Sequence, residues 1–262
     1  MYCLLLITAL LGLQAQSTPT SVNRLADVSS FVFRGRVLKS QATTMPQVEA
    51  SKLTAVVLVE EVQRAADAIR EVNGTQITLI LRQPAVEGRS YIFFSNVVLY
   101  GSSLAARESG RLAVGRNSDY TRGIVNAAYD EKEDRALQQR IARAALVVTG
   151  KVLRTEPLPR DPGWPESEHD PQWWTAVLQV DSFAKGQGPT ELTIIFPNSK
   201  DELWIDAPKF KPDQEGVWIL QRNTKEKVPP IYAVRGLTAL DPRDFQPKQA
   251  WDKVRRLAGR QR

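Results

Sequence analysis

FVFRGRVL at Phe31–Leu38 returns 115 positions later as LVVTGKVL at Leu146–Leu153. In both stretches apolar residues and one central glycine, Gly35 or Gly150, occupy every second position, which is the period of a strand with one buried face. Glycine weakens a strand unless the strand bends there or another backbone approaches closely. The two stretches therefore predict two strands that bend at the same point, as barrel strands do.

Four further blocks recur in the same order along both halves of the chain. The matching pairs are Leu53–Val62 with Trp174–Phe183, Thr75–Leu81 with Thr190–Phe196, Glu87–Phe94 with Glu215–Leu220, and Leu112–Gly115 with Tyr232–Gly236. In the second block the inward-facing residues are expected to be Leu53, Ala55, Val57 and Val59 in one half, and Trp174, Ala176, Leu178 and Val180 in the other. Each half is thus predicted to contain five strands.

Helical patterns lie between and after the strand blocks. The segment Asp130–Ala145 begins with acidic residues and ends with basic ones, which suits the helix dipole. A C-terminal helix is predicted from Pro247, since proline is a favourable first helical residue, and a shorter helix is expected within Asn23–Ser30. The predicted fold is therefore mainly β with short helices.

Five strands with glycine-marked bends in about 110 residues are typical of an OB-type Greek-key barrel. We predict two tandem five-stranded OB-like barrels. The alternative is two β-sandwich domains, although an immunoglobulin-like sandwich needs about seven strands. The predicted division is a signal peptide at 1–16, the first barrel unit at 17–128, and a helix with the second barrel unit at 129–262. The second unit contains a Pro-rich insert at 156–172 and a basic C-terminal helix at 247–262.

The second half resembles the netrin-like and TIMP-like OB domains. The shared pattern is a strand with a central glycine (LVVTGKVL), a long second strand ending in Lys-Gly (WTAVLQVDSFAKGQG), a third strand (ELTIIF) and the block EGVWIL. It covers most of Leu146–Gly236 and, less closely, Phe31–Gly115. The resemblance implies an OB fold. The inhibitory N-terminal Cys-x-Cys of the TIMP-like proteins is absent, so metalloproteinase inhibition is not expected.

An apolar run, CLLLITALLGL at Cys3–Leu13, lies near the start of the sequence. It is shorter than the roughly 20 residues of a membrane span and suits the apolar region of a secretory signal. We therefore expect an exported protein, located in the periplasm, the cell envelope or outside the cell; the alternative is a short N-terminal membrane anchor. Cleavage near Ala15 would remove Cys3, the single cysteine, and with it any disulfide or thiolate site.

The formal net charge of +6 is concentrated at the C-terminus. Residues 248–262 contain six basic residues and one acidic residue, which leaves only +1 for the rest of the chain. A barrel that binds nucleic acid through its face would carry its positive charge there. The distribution argues against a nucleic-acid partner. Membrane contact is expected only through an uncleaved N-terminal segment or the basic C-terminal helix.

Catalytic and metal-binding patterns are absent from the sequence. The single histidine, His169, lies in the Pro-rich segment, where a solvated side chain is expected. Asp201, Glu202 and Asp206 could approach a cation, but they lack the alternating oxygen ligands and the glycine of a calcium loop. We expect no catalytic residue, no metal and no cofactor; the alternative is a carboxylate-based enzyme that uses one of these three acids.

All six tryptophans lie in the second half of the chain. Trp174 and Trp218 fall on the inward phase of predicted strands, and Trp251 falls on the apolar side of the C-terminal helix. The remaining three, Trp164, Trp173 and Trp204, have no evident place in a core, and exposed tryptophan is enriched where partners bind. They are the predicted ligand-binding residues.

The predicted function follows from these residues and from the fold. We expect an exported, non-catalytic binding or interaction protein that recognises a protein or glycan partner through the second barrel. The main alternative is binding of a single-stranded nucleic acid or another anionic polymer by an OB barrel and the basic tail.

Overall fold

The structure, a computed structural model, describes residues 19–101, 103–114, 118–159, 169–222 and 236–259. The predicted signal peptide at 1–16 and most of the Pro-rich insert lie outside these ranges. The chain divides into two units between Glu133 and Asp134. Among the described helices, none has both the length and the apolar character needed to cross a membrane.

The first unit begins with one helix, which five strands follow. They are α1 (Pro19–Val28), β1 (Phe31–Ser40), β2 (Thr54–Arg64), β3 (Gln76–Ile80), β4 (Ser90–Tyr100) and β5 (Leu104–Ala113). The strands close into a barrel in the order β1-β2-β3-β5-β4, with β4 pairing with β1. Only β3 and β5 are parallel; the other neighbours are antiparallel.

The second unit repeats this arrangement. Its elements are α2 (Ser118–Arg143), which begins within the first unit, then β6 (Leu146–Pro157), β7 (Gln172–Lys185), β8 (Glu191–Asn198), β9 (Glu215–Arg222), β10 (Leu237–Thr238), β11 (Phe245–Gln246) and α3 (Trp251–Gly259). The ring runs β6-β7-β8-β10-β9, and β9 pairs with β6 to complete it. Again one pair, β8 with β10, is parallel.

The shared strand order and the single parallel pair define two OB-like Greek-key barrels. The prediction of two tandem barrels is confirmed, and the alternative of two β-sandwich domains is wrong because both rings close. The pairing register shifts beside Gly35 in β1 and beside Gly150 in β6. Both glycine-containing strands are therefore irregular where a bend was predicted.

Each barrel interior is filled by the alternating apolar residues of its strands. In the first barrel Phe31 stacks on Phe33 at 4.6 Å between ring centroids, and Phe33 contacts Phe93 at 5.4 Å. In the second, Trp218 is fully buried and lies beside Phe210 and Phe245. Burying each such ring contributes about 1.5–3 kcal/mol, which explains why the aromatic residues concentrate on the inward phase.

A second apolar layer lies outside each barrel, under the helices. In the first unit it joins Val22 and Ala26 of α1, Val32, Ile92 and Phe94 of the barrel, and Val125, Ala128 and Tyr129 of α2. In the second unit it joins Leu137 and Ile141 of α2, Val147, Val217 and Ile219 of the barrel, and Val254, Leu257 and Ala258 of α3. Val22, Ala26 and Val32 stand 115 positions before Leu137, Ile141 and Val147. The repeat therefore includes a helix before and a helix after each barrel. Helix α2 is the helix that follows the first barrel and the helix that precedes the second.

Several predicted boundaries need correction. Helix α2 begins at Ser118 and spans 26 residues, so it starts well before the predicted Asp130 and is not short. Leu53, predicted to face inward, is 42% exposed because β2 begins one residue later. The fifth strand of the first barrel is Leu104–Ala113, of which the predicted block covered only the end.

The fifth strand of the second barrel also differs from the prediction. It consists of two short pieces, β10 and β11, separated by a 3-10 turn at Pro242–Asp244. The predicted block at 232–236 lies outside the described residues except for Gly236. The basic C-terminal helix is described as far as Gly259, and its buried residues Val254, Leu257 and Ala258 pack on the second unit.

Candidate binding surface

Two of the three predicted tryptophans contact each other on the second barrel. Trp173 is the second residue of β7, and Trp204 lies in the turn that follows β8. Their ring centroids are 5.4 Å apart with an interplanar angle of 72°, an edge-to-face contact. Both residues are half-buried. Trp164 lies outside the described residues.

The turn that presents Trp204 is built by Asp201. The backbone N–H of Leu203 donates to Asp201 Oδ1 at 2.9 Å, an Asx turn, and the N–H of Trp204 donates to the Asp201 carbonyl at 2.9 Å. Lys209 Nζ then donates to the carbonyls of Trp204 (2.6 Å) and Ala207 (2.7 Å). Burial lowers the pKa of this lysine. The charge of Lys209 is therefore directed into the turn and not outward.

His169 connects the β6–β7 segment to the same turn at two points. Its carbonyl accepts the indole N–H of Trp204 at 2.9 Å, and its Nδ1 lies 2.9 Å from Asp201 Oδ2. This hydrogen bond to Asp201 raises the pKa of His169, and the same bond lowers the pKa of Asp201. The ring of His169 is half exposed, which agrees with the prediction of a solvated side chain. The contact with Asp201 was not predicted.

Two aliphatic side chains beside Trp204 are exposed. Leu203 is 68% exposed and Ile205 is 59% exposed, the two highest values among the large apolar residues that the structure describes. The carboxylates on either side of them, Glu202 and Asp206, are exposed as well. We call the group formed by Trp173, Glu202, Leu203, Trp204, Ile205 and Asp206 the Trp204 surface.

The other described tryptophans belong to the interior, as predicted. Trp218 is fully buried in the second barrel, Trp174 packs partly buried against the same cluster, and Trp251 packs against the layer under α3. Within the described ranges, Asp201, Glu202 and Asp206 do not converge as a metal-binding group. The acidic residues of this turn therefore border an apolar surface and do not surround a cation there.

In the first barrel, the connection between β1 and β2 corresponds to the β6–β7 segment of the second barrel but is held by different contacts. There the segment 41–53 is fixed by hydroxyl groups: Thr44 Oγ1 lies 2.9 Å from Thr78 Oγ1 and 2.9 Å from Ser103 Oγ, and Thr43 Oγ1 lies 3.0 Å from Thr78 Oγ1. Met45 is buried under this segment. The connection in the first unit packs against its own barrel and carries no aromatic residue.

A shallow groove of about 500 Å³ lies on the first unit where β3 ends and β5 continues. Glu108 occupies this place with a buried side chain, accepting the N–H of Arg82 at 3.0 Å and the guanidinium of Arg111 at 3.2 Å. Burial raises the pKa of Glu108. Because its carboxylate satisfies a backbone N–H that has no strand partner, Glu108 has a structural role in closing the barrel.

Sequence reasoning identified Trp173 and Trp204 but did not identify Leu203, Ile205 or the contacts of His169. A usable signal was present, since ELWID places two aliphatic residues between acids in a segment without strand or helix period. A scan of the chain against protein-family models found no match, and a search of curated proteins found none either. The resemblance to netrin-like and TIMP-like domains stays a prediction.

Proposed function

We propose that this chain is an exported, non-catalytic binding protein that recognises a partner protein through the Trp204 surface. The observation that carries the proposal is the exposure of Leu203 and Ile205 beside the contacting pair Trp173 and Trp204. Contiguous exposed apolar residues with tryptophan at their centre are a feature of protein interaction sites. Export is supported by the apolar run Cys3–Leu13.

A protein partner fits this surface better than a glycan does. Leu203 and Ile205 carry no hydrogen-bonding group, and the indole N–H of Trp204 is already donated to His169. A protein can cover aliphatic side chains with its own apolar residues, which is how the centres of protein interfaces are built. A glycan would require free polar groups beside the rings.

The two rival functions find less support at this surface. Glu202 and Asp206 border the aromatic pair, and negative charge there would repel a phosphate backbone. For an enzyme, a catalytic histidine or carboxylate would be expected in a pocket, but the His169 ring is half exposed and Glu202 and Asp206 lie on the surface. Changing Asp201, Glu202 or Asp206 is therefore expected to alter binding and not turnover.

Site-specific photo-crosslinking tests the proposal. A photoreactive phenylalanine analogue replaces Leu203, and in a matched control it replaces Leu38, an exposed leucine of the first barrel. Crosslinking is carried out in the producing cells and in the medium. We expect a protein adduct from position 203 that position 38 does not give and that Trp204→Ala abolishes. Equal adducts from both positions, adducts only to glycan or nucleic acid, or no adduct would overturn the proposal.

A further inference from the structure

Two exposed carboxylates lie at the edges of the exposed aliphatic residues. Glu202 precedes Leu203 and Asp206 follows Ile205, and both acids are exposed. Neither forms an ion pair within the part of the chain that the structure describes. The acid in the same turn that is paired, Asp201, faces His169 instead. The apolar centre of the Trp204 surface is thus bordered by negative charge on both sides.

Lys200 and Lys209 lie near this border, and Lys209 interacts electrostatically with Asp206. Lys209 directs its Nζ at the carbonyls of Trp204 and Ala207, inside the turn. Lys200 is exposed at the start of the turn, one residue before Asp201.

We propose that the partner contributes a segment of apolar residues flanked by lysine or arginine. This inference rests on the proposed function and adds the chemistry of the partner. Apolar side chains of the segment cover Leu203 and Ile205, and its basic side chains pair with Glu202 and Asp206. Complementary charge at the rim of an interface selects the partner and speeds association, while the apolar centre supplies most of the affinity.

The orientation of the turn supports this division of roles. The ring of Trp204 contacts Trp173, and its indole N–H donates to the carbonyl of His169. The neighbouring residues Leu203 and Ile205 are exposed. A held aromatic residue between two exposed aliphatic ones offers a preformed apolar contact. Little conformational entropy is then lost when a partner binds.

The test is selection of random twelve-residue peptides, displayed on phage, against the full chain. A parallel selection uses the variant Leu203→Ser/Ile205→Ser, and peptides retained only by the unchanged chain define the surface-dependent set. We expect this set to be enriched in lysine or arginine together with apolar residues. Synthetic copies of these peptides should bind Glu202→Gln/Asp206→Asn about three- to tenfold more weakly, the range for two rim charge pairs.

A matched variant controls for net charge. Asp181→Asn/Glu191→Gln removes two exposed acids elsewhere in the second unit and should leave binding of the peptides unchanged. A surface-dependent set rich in acidic residues, or one indifferent to Glu202 and Asp206, would overturn this inference and leave the proposed function standing. Selection that yields no surface-dependent peptide would contradict both. Circular dichroism of each variant verifies that its fold is retained.

Discussion

Asp244 is a fully buried carboxylate whose oxygens are occupied by four donors. Arg140 of α2 donates from Nε at 2.5 Å and from Nη2 at 2.7 Å, and the N–H groups of Leu240 and Asp241 donate at 2.8 and 3.0 Å. The hydrogen bond to Asp244 raises the pKa of Arg140. In the first unit the residue 115 positions before Arg140 is Leu25 of α1, which packs against Gly110 of β5, so that contact is apolar.

Removing one partner of this pair should destabilise the second unit strongly. Arg140→Leu leaves the buried charge of Asp244 without its cation, and we expect a loss of about 3–5 kcal/mol in the free energy of unfolding. The measurement is urea unfolding followed by tryptophan fluorescence. Arg255→Leu, which breaks an exposed pair with Asp252, is the control and should change stability by less than about 1 kcal/mol. Equal losses for the two variants would show that burial does not determine how much an ion pair contributes to the free energy of unfolding.

His169 should titrate above the ordinary histidine range. Its hydrogen bond to Asp201 favours the protonated ring, so the folded pKa is raised. The resulting stabilisation is present at pH values below the unfolded pKa and is lost as pH rises through the folded pKa. Because the chain has one histidine, its imidazole signals in a proton NMR titration are unambiguous. Asp201→Asn should lower this pKa toward its ordinary value; an unchanged titration would contradict the contact.

The residues of the Trp204 surface were only partly predictable. Trp173 and Trp204 could be named because exposed tryptophan is uncommon and neither fits a strand interior. Leu203 and Ile205 could not, since the segment after β8 has neither a two-residue nor a 3.6-residue period that assigns its side chains to a face. The burial of Asp244 was not predicted either, because the arginine that neutralises it is 104 positions away in the sequence.

The glycine in the first strand of each barrel lies where neighbouring atoms approach closely. A side chain on Gly150 in β6 would collide with the backbone carbonyl of Gln179 in β7. A side chain on Gly35 in β1 would lie 2.7 Å from the ring of Phe33 and 2.7 Å from Val57, and the nearest backbone atom, the Leu58 carbonyl oxygen, would be farther away at 3.1 Å. Side chains can shift by changing rotamer, whereas a paired backbone cannot. The two matching glycines therefore differ in how replaceable they are.

Gly150→Ala should cost more stability than Gly35→Ala. Overpacking costs about 1–3 kcal/mol where side chains can adjust, and we expect Gly35→Ala to fall in this range and Gly150→Ala at or above its top. Thermal unfolding by circular dichroism measures both. Gly123 of α2 has open space around it, so Gly123→Ala should stabilise by up to about 1 kcal/mol. A larger loss for Gly35→Ala than for Gly150→Ala would reverse this argument.

At the level of elements, the strands could be predicted because the two halves repeat the same blocks and apolar residues alternate within each block. The prediction makes helix α2 too short because the acidic residues from Asp130 onward have the pattern of a helix start, although Val125, Ala128 and Tyr129 have the spacing of an apolar helix face. The split of the fifth strand into β10 and β11 could not be predicted, since a strand of two residues is too short to show alternation.

At the scale of the whole molecule, the apolar clusters of the barrels share no residue. The interior of the first barrel consists of residues up to Ala106, and that of the second consists of residues from Leu146 onward. All six tryptophans lie in the second half. Tryptophan fluorescence therefore reports on the second unit alone, whereas far-ultraviolet circular dichroism reports on both.

Phe93→Ala should separate the two unfolding transitions. Phe93 is fully buried in the first barrel, and its loss is expected to cost about 3–5 kcal/mol. In urea, the circular dichroism curve should acquire an earlier transition while the fluorescence midpoint stays where it is. A fluorescence midpoint that falls together with the dichroism signal would show that the two units unfold as one.

Because helix α2 covers part of both barrels, it limits which deletions the gene can tolerate. One half of the helix, with Val125 and Ala128, covers the first barrel, and the other half, with Leu137 and Ile141, covers the second. A descendant that lost either copy by deletion would keep a helix with one apolar face uncovered. Such a gene would have to acquire polar codons along that face before its product stayed soluble. The duplication is thus easier to keep than to reverse.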